Sequence, residues 1–157
     1  YTAAFDLLTQ EENAVGMVDF YGTEEHVVRF MKRPEMNVCT DGLLCPGKPH
    51  PRLYGSFVRV LGKYVREEKV MSLEQAVRKM TGKPAEVLSL KDRGLIREGM
   101  CADITVFDPE TVIDKGTFTD PIQFPDGIAY VIVNGEVAVD HGVHTGALNG
   151  CVIRRGR

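Results

Sequence analysis

The chain has 157 residues, 43% of them hydrophobic and 26% charged, with a formal net charge of −3. That length holds one domain with a real core, or parts of two. The mild acidity and the lack of a long basic run exclude a nucleic-acid surface, and no apolar stretch approaches the ~20 residues of a membrane span.

Phe5 to Glu12 reads as a helix end, with Phe5, Leu7 and Leu8 apolar and Glu11 and Glu12 polar. Ala14 to Phe20 is a short apolar run, expected to be a buried strand. Thr23 then caps a helix whose first acids, Glu24 and Glu25, suit the positive end of its dipole. Val27, Val28, Phe30 and Met31 give that helix its apolar face, and Pro34 stops it. Met36 to Thr40 is expected to be the next strand, so this part reads β-α-β, the unit of a parallel sheet. Asp41 to Gly55 is rich in Pro and Gly and reads as a loop. Ser56 to Glu68 carries Phe57, Val60, Leu61, Tyr64 and Val65 at helical spacing. Ser72-Leu73-Glu74-Gln75 is a capping box opening a helix through Met80. Thr81 to Pro84 ends it, and one further helical turn is expected over Pro84 to Leu88.

The character changes near residue 90. Glycines and prolines now separate short β-rich runs: Ala102 to Phe107, Ile128 to Val133, Glu136 to Val139 and Cys151 to Arg154. Asn134-Gly135 between two such runs is a two-residue hairpin signal. An α/β segment over 1–90 and a small β-sheet segment over 91–157 are therefore expected. The four cysteines, Cys39, Cys45, Cys101 and Cys151, form neither a CxxC pair nor a zinc-finger pattern. They read as reduced thiols in a cytosolic protein, with Cys39 a small hydrophobe inside a strand. The chain opens on Tyr1 rather than Met, so the text is expected to begin within a longer protein.

The chemistry concentrates at Asp41. An apolar run ending in Asp41-Gly42 reads as a buried strand delivering a carboxylate to a loop mouth, where α/β-barrel enzymes keep their reactive groups. Asp-Gly is also a common turn, so a loop-capping role for Asp41 stands beside the catalytic one. Arg52 presents a fork that suits a carboxylate, or forms a surface ion pair. His50, between Pro49 and Pro51, can orient the loop, meet a substrate, or simply pack. Tyr54 reads as a wall of such a site. His141 and His144 have a spacing that a metal can use, but their glycine-rich hairpin region favours an exposed loop.

Three motifs carry a family resemblance. The first is Thr40-Asp41-Gly42 followed by His50-Pro51-Arg52-Leu53-Tyr54-Gly55-Ser56-Phe57. The second is Arg59 to Glu68 leading into Ser72-Leu73-Glu74-Gln75-Ala76 and Lys79-Met80-Thr81. The third is Arg93-Gly94-Leu95-Ile96, Gly99-Met100-Cys101-Ala102-Asp103 and Val131-Ile132-Val133-Asn134-Gly135. With these, Phe5 to Arg155 resembles the C-terminal portion of the N-acyl-D-amino-acid deacylases, or D-aminoacylases, of the amidohydrolase superfamily. The third motif is widespread in the superfamily; the first two are closer to the D-aminoacylase branch.

The resemblance implies an α/β fold: the last strands and helices of a (β/α)8 barrel over residues 1–90, then the C-terminal half of a small β-sandwich over 91–157. It implies a zinc-dependent hydrolase cleaving the amide bond of N-acyl-D-amino acids, with Asp41 as acid and base and Arg52 and His50 as substrate contacts. The family's metal ligands are a His-x-His pair, a cysteine or bridging carboxylate and two later histidines. The four histidines here form no such pair. Zn2+ is therefore expected in a full-length parent, with most ligands outside this chain, this piece inactive alone, and Asp41 making at most a secondary metal contact. Open sheet edges further imply a homo-oligomer or a missing N-terminal chain as partner. Two rival readings stand: a non-catalytic self-associating or partner-binding domain, and a cyclic amidase resembling dihydroorotase or hydantoinase.

Overall fold

The computed structural model describes residues 1–157 except Met17, Val18, Phe20, Pro46 and 155–157. Helices fill the first half: α1 (Thr2–Gln10), α2 (Glu24–Met31), α3 (Arg52–Arg59), a π-helical segment (Val60–Glu67), α4 (Leu73–Met80) and α5 (Gly82–Leu88). The second half is an antiparallel meander in the order β1 (Ile104–Phe107), β2 (Ile128–Val133), β3 (Glu136–Asp140), β4 (Val143–His144).

Local chemistry sets several helix starts. Thr23 accepts the His26 N–H at the head of α2. Ser72 and Gln75 close both bonds of a capping box on α4. The helix expected from Ser56 begins earlier, at Arg52. Pro51 is already helical at φ −59°, and proline's fixed φ suits the start of a helix. Gly55, expected in a loop, is buried within α3, where a Cβ would stand 2.8 Å from Asp114 Cβ. Beyond Arg59 the helix widens into the π segment, and Arg66 there donates to the Val112 carbonyl at 2.6 Å.

Asn134-Gly135 forms the expected hairpin, with both residues at positive φ and Val133 opposite Glu136. Three expected strands fare differently. The run over 14–20 falls partly on Met17, Val18 and Phe20, outside the described residues; Ala14 to Gly16 and Asp19 belong to no strand. Met36 to Thr40 joins no ladder, because no described strand lies alongside it, and parallel pairing needs such a neighbour. Cys39 is accordingly exposed, not buried in a strand. Cys151 to Arg154 also lacks a ladder. The chain just before it is held by side chains instead: Asn134 donates to the Asn149 carbonyl at 2.7 Å, and Asn149 donates to that of Val133.

One apolar core links the halves. Met31, Val58, Val60, Leu61, Tyr64 and Ala76 pack with Val112, which is fully buried, and Phe107 and Ile128 of the sheet flank them. Burying a Val or Leu side chain contributes about 1.5–3 kcal/mol. This shared core fixes the sheet and its connecting segment against α3.

Candidate functional site

The segment leading to Asp41 hangs from α4. The Val38 N–H donates to the Lys79 carbonyl at 3.2 Å. The Lys79 side chain, buried, donates to the carbonyls of Arg33 and Met36, the latter at 3.3 Å. Burial pushes its ammonium below the ordinary lysine range. Carbonyl oxygens are the compensation that a buried ammonium requires.

Asp41 itself has φ +46°. Other non-glycine residues share that sign, but Ser89 ends a helix and Asn134 and His141 sit in hairpin turns. Asp41 has neither excuse. Two neighbours hold it there. The Thr40 hydroxyl accepts the Gly42 N–H at 3.2 Å, a local turn that Ser and Thr favour. Gly42 lies so close to α3 that a Cβ would stand 2.7 Å from Leu53 Cδ1 and 3.0 Å from its Cα. The Asp41 carboxylate is exposed, and its Oδ2 stands 3.0 Å from Arg52 Nη2. Residues far apart in the first motif thus meet at the first turn of α3.

His50 adds the third corner. Its Nδ1 accepts the backbone N–H of Arg52 at 3.0 Å, and its ring meets Phe118 edge-to-face at 5.1 Å. Burial first, and then the Arg52 charge, push His50 below the ordinary histidine range. A cavity of about 560 Å³ opens here, lined by His50, Arg52, Ser56, Arg59, Asp114 and Phe118. Asp114 pairs with Arg59 at 2.6 Å. Tyr54 faces Phe124 at 6.1 Å. A larger cleft of about 730 Å³ runs between Leu61, Met80, Leu95, Ile104 and Phe107; its walls are mostly apolar and include neither Asp41 nor Arg52.

The remaining histidines lie elsewhere. His26 is exposed on α2. His141 pairs with Asp140 at 2.6 Å, while His144 Nδ1 accepts the Gly146 N–H at 2.9 Å. Among the described residues, no three or more His, Cys, Asp or Glu side chains gather where they could hold a metal ion. Asp41 is partnered by a cation rather than by further anionic or imidazole ligands. The described residues therefore do not by themselves fit zinc. The constraints supplied by Gly42, Lys79 and Phe118 escaped the sequence reading. The Thr-Asp-Gly triplet signals the turn, but no local pattern reveals which atom approaches Gly42, or the Lys79 contacts made across 43 and 46 positions.

Comparisons with known proteins agree with this picture. The model of the amidohydrolase family matches residues 19–139. An N-acyl-D-glutamate deacylase of Alcaligenes xylosoxydans xylosoxydans is 47% identical over 120 residues, covering 76% of this chain and 25% of that protein. The crystal structure of the N-acyl-D-glutamate deacylase of Bordetella bronchiseptica, complexed with zinc and a phosphonate mimic of the tetrahedral intermediate, is 48% identical with a TM-score of 0.73. It matches 74% of this chain and 24% of its own. A D-aminoacylase structure with a binuclear metal centre is 41% identical with a TM-score of 0.80, matching 82% of this chain and 27% of its own. The chain spans about a quarter of the length of these relatives. With the family model covering most of its length, the chain belongs to the amidohydrolase family.

Proposed function

We propose that this chain is the C-terminal share of a zinc-dependent amidohydrolase that hydrolyses the amide bond of N-acyl-D-amino acids. On this reading residues 1–90 belong to the end of a (β/α)8 barrel and 91–157 to a β-sandwich, and the full-length protein works in the cytoplasm. The observation that carries the proposal is the pairing of Asp41 with Arg52 at 3.0 Å. A general base needs an exposed carboxylate beside the substrate. A free α-carboxylate on that substrate needs a cation that can bind it as a fork. Arg52 would exchange Asp41 for the substrate carboxylate, leaving Asp41 to take a proton from the attacking water and pass it to the leaving amine nitrogen. Zinc belongs to the full-length protein, whose ligands lie largely outside this chain; His50 lines the same cavity as Arg52.

Zinc content and N-acetyl-D-amino-acid hydrolysis test this together. The 157-residue chain is expected to hold no stoichiometric zinc and to show no turnover; the full-length protein is expected to show both. Asp41→Asn in the full-length protein should keep its zinc and lose about 10²- to 10⁴-fold in kcat, the range for a positioned acid–base group. Full activity in that variant overturns the assignment.

A further inference from the structure

We propose that His50 is a positioning residue: its imidazole, held edge-to-face by Phe118, caps the first turn of α3 and so fixes the direction of the Arg52 guanidinium. The proposal rests on the reading above, that Arg52 receives the substrate carboxylate.

The first N–H groups of a helix have no partner one turn back. Three of the donors at the head of α3 are satisfied by backbone, Leu53 donating to the His50 carbonyl at 3.1 Å, and Tyr54 and Gly55 to that of Pro51 at 3.1 and 3.0 Å. Arg52 donates to His50 Nδ1 instead, at 3.0 Å. The geometry is that of an Asx turn, with imidazole in place of the amide oxygen. It also sets the tautomer. Nδ1 must offer a lone pair, so the neutral ring carries its hydrogen on Nε2.

The ring is held by a different part of the chain. Phe118 lies on a strap, residues 114–124, that crosses the head of α3. Asp114 anchors the strap to Arg59 at 2.6 Å. Gly116 lies where a Cβ would stand 3.3 Å from Pro51 Cβ, and Phe124 meets Tyr54 at 6.1 Å. Buried Pro49 and half-buried Pro51 flank His50 and stiffen the backbone on either side. An arginine that must grip a carboxylate through both nitrogens depends on direction more than on reach. The strap and His50 supply that direction without touching the reacting atoms.

Protonation would remove the acceptor and add a positive charge at the positive end of a helix. Arg52 opposes that charge most directly; Arg59 and Lys115 line the same cavity, and the three cations are paired with Asp41, Asp114 and Asp126. The cap therefore holds at neutral pH and fails on the acid side.

The test uses the full-length zinc enzyme with whichever of N-acetyl-D-glutamate, N-acetyl-D-aspartate or N-acetyl-D-methionine the wild type cleaves. His50→Ala and Phe118→Ala are expected to raise KM about five- to tenfold, with kcat within about twofold, the scale of a lost helix cap. His50→Asn restores an acceptor near the Nδ1 position and should return KM to the wild-type value. It should also flatten the rise of wild-type KM at acid pH. An unchanged KM in His50→Ala, or a KM in His50→Asn as high as in His50→Ala, overturns the proposal. Histidine-selective ¹⁵N spectra of the same protein read the cap without any substrate: the expected signal is a neutral ring protonated at Nε2, and an Nδ1-protonated or charged ring at neutral pH overturns it. Arg52→Ala serves as the control. If its KM is unchanged, the carboxylate assignment of Arg52 fails, while the spectra still decide whether His50 caps the helix.

Discussion

At Asp41 the backbone and the side chain answer to different neighbours. Thr40 and Gly42 set the left-handed turn, and Arg52 sets where the carboxylate points. Gly42 is the tighter constraint, because an added Cβ would meet Leu53 main chain as well as side chain. A flexible side-chain tip can swing away; a helix Cα cannot. Gly42→Ala should therefore shift the loop off α3 and move Asp41 with it. In the full-length enzyme the expected result is a fall in kcat of tenfold or more with zinc retained, since misplacement by about 1 Å can cost ~10²-fold. Zinc analysis beside steady-state kinetics checks this, and an unchanged kcat would show that the loop tolerates the shift. Arg52→Ala should instead act on KM, raising it roughly ten- to hundredfold for the loss of a charged hydrogen-bonding partner. Asp41 and Arg52 stood out in the sequence through one motif, and the structure pairs them. The closeness of Gly42 to Leu53 was not, because a glycine's reason is the atom that approaches it, and that atom is named only by the fold.

Among the elements, caps were the most readable feature and pairing the least. Thr23 and Ser72 act through residues three positions on, so their roles are written locally. The π segment was invisible for the opposite reason. Val60, Leu61, Tyr64 and Val65 keep an apolar face under either winding, and what accompanies the wider turn is the distant segment around Val112. Gly62 marks that approach: a Cβ there would stand 2.5 Å from Ile113 Cδ1 and 2.6 Å from the Val112 carbonyl oxygen. Gly62→Ala should cost about 1–3 kcal/mol as an overpacked contact, read as a lowered Tm. An undisturbed melt would mean the two segments separate without penalty. The same segment carries a pH-dependent tie to α2. Glu24 Oε1 accepts from Lys63 at 2.6 Å and from Tyr64 at 2.5 Å. The Lys63 bond first, and then Tyr64, hold the Glu24 carboxyl below the ordinary glutamate range. Its folded pKa is thus lower than its unfolded one. The resulting stability is complete above the unfolded value, ~4.3, and is lost as pH falls through the folded value. Lys63 is shifted upward by the same bond, so its share is complete below the unfolded lysine value and is lost only at high pH. Near neutrality both contributions are present. Glu24→Gln should therefore flatten the acid limb of a stability-against-pH curve, an effect kept small by the exposure of Glu24.

At the scale of the whole molecule, a core that joins the halves coexists with apolar surface that neither half covers. Val112, Phe107 and Ile128 pack with the helices. Yet Leu43, Leu44 and Ile96 are each at least 80% exposed, and Phe30 and Phe124 stand open as well. Isolated exposed hydrophobics are ordinary, but here they accompany a large apolar cleft. The outer edge of β1 is unpaired among the described strands, and Ile104, Thr105 and Phe107 of that strand line the cleft. An open edge beside an apolar groove is a template for another strand or another chain. The chain spans about a quarter of its relatives' length, so on the proposed reading the rest of the polypeptide would cover these surfaces. Made alone, the 157-residue chain should associate with itself, because the same surfaces then have only each other. Sedimentation velocity over a range of concentrations checks this, with a weight-average coefficient rising with concentration as the expected result. Ile96→Lys should weaken the association by placing a charge at the cleft without disturbing the core, since Ile96 is already solvent-facing. A compact monomer at every concentration would mean that the edge and cleft are protected by the chain's own residues, and would remove the physical case for a missing partner segment.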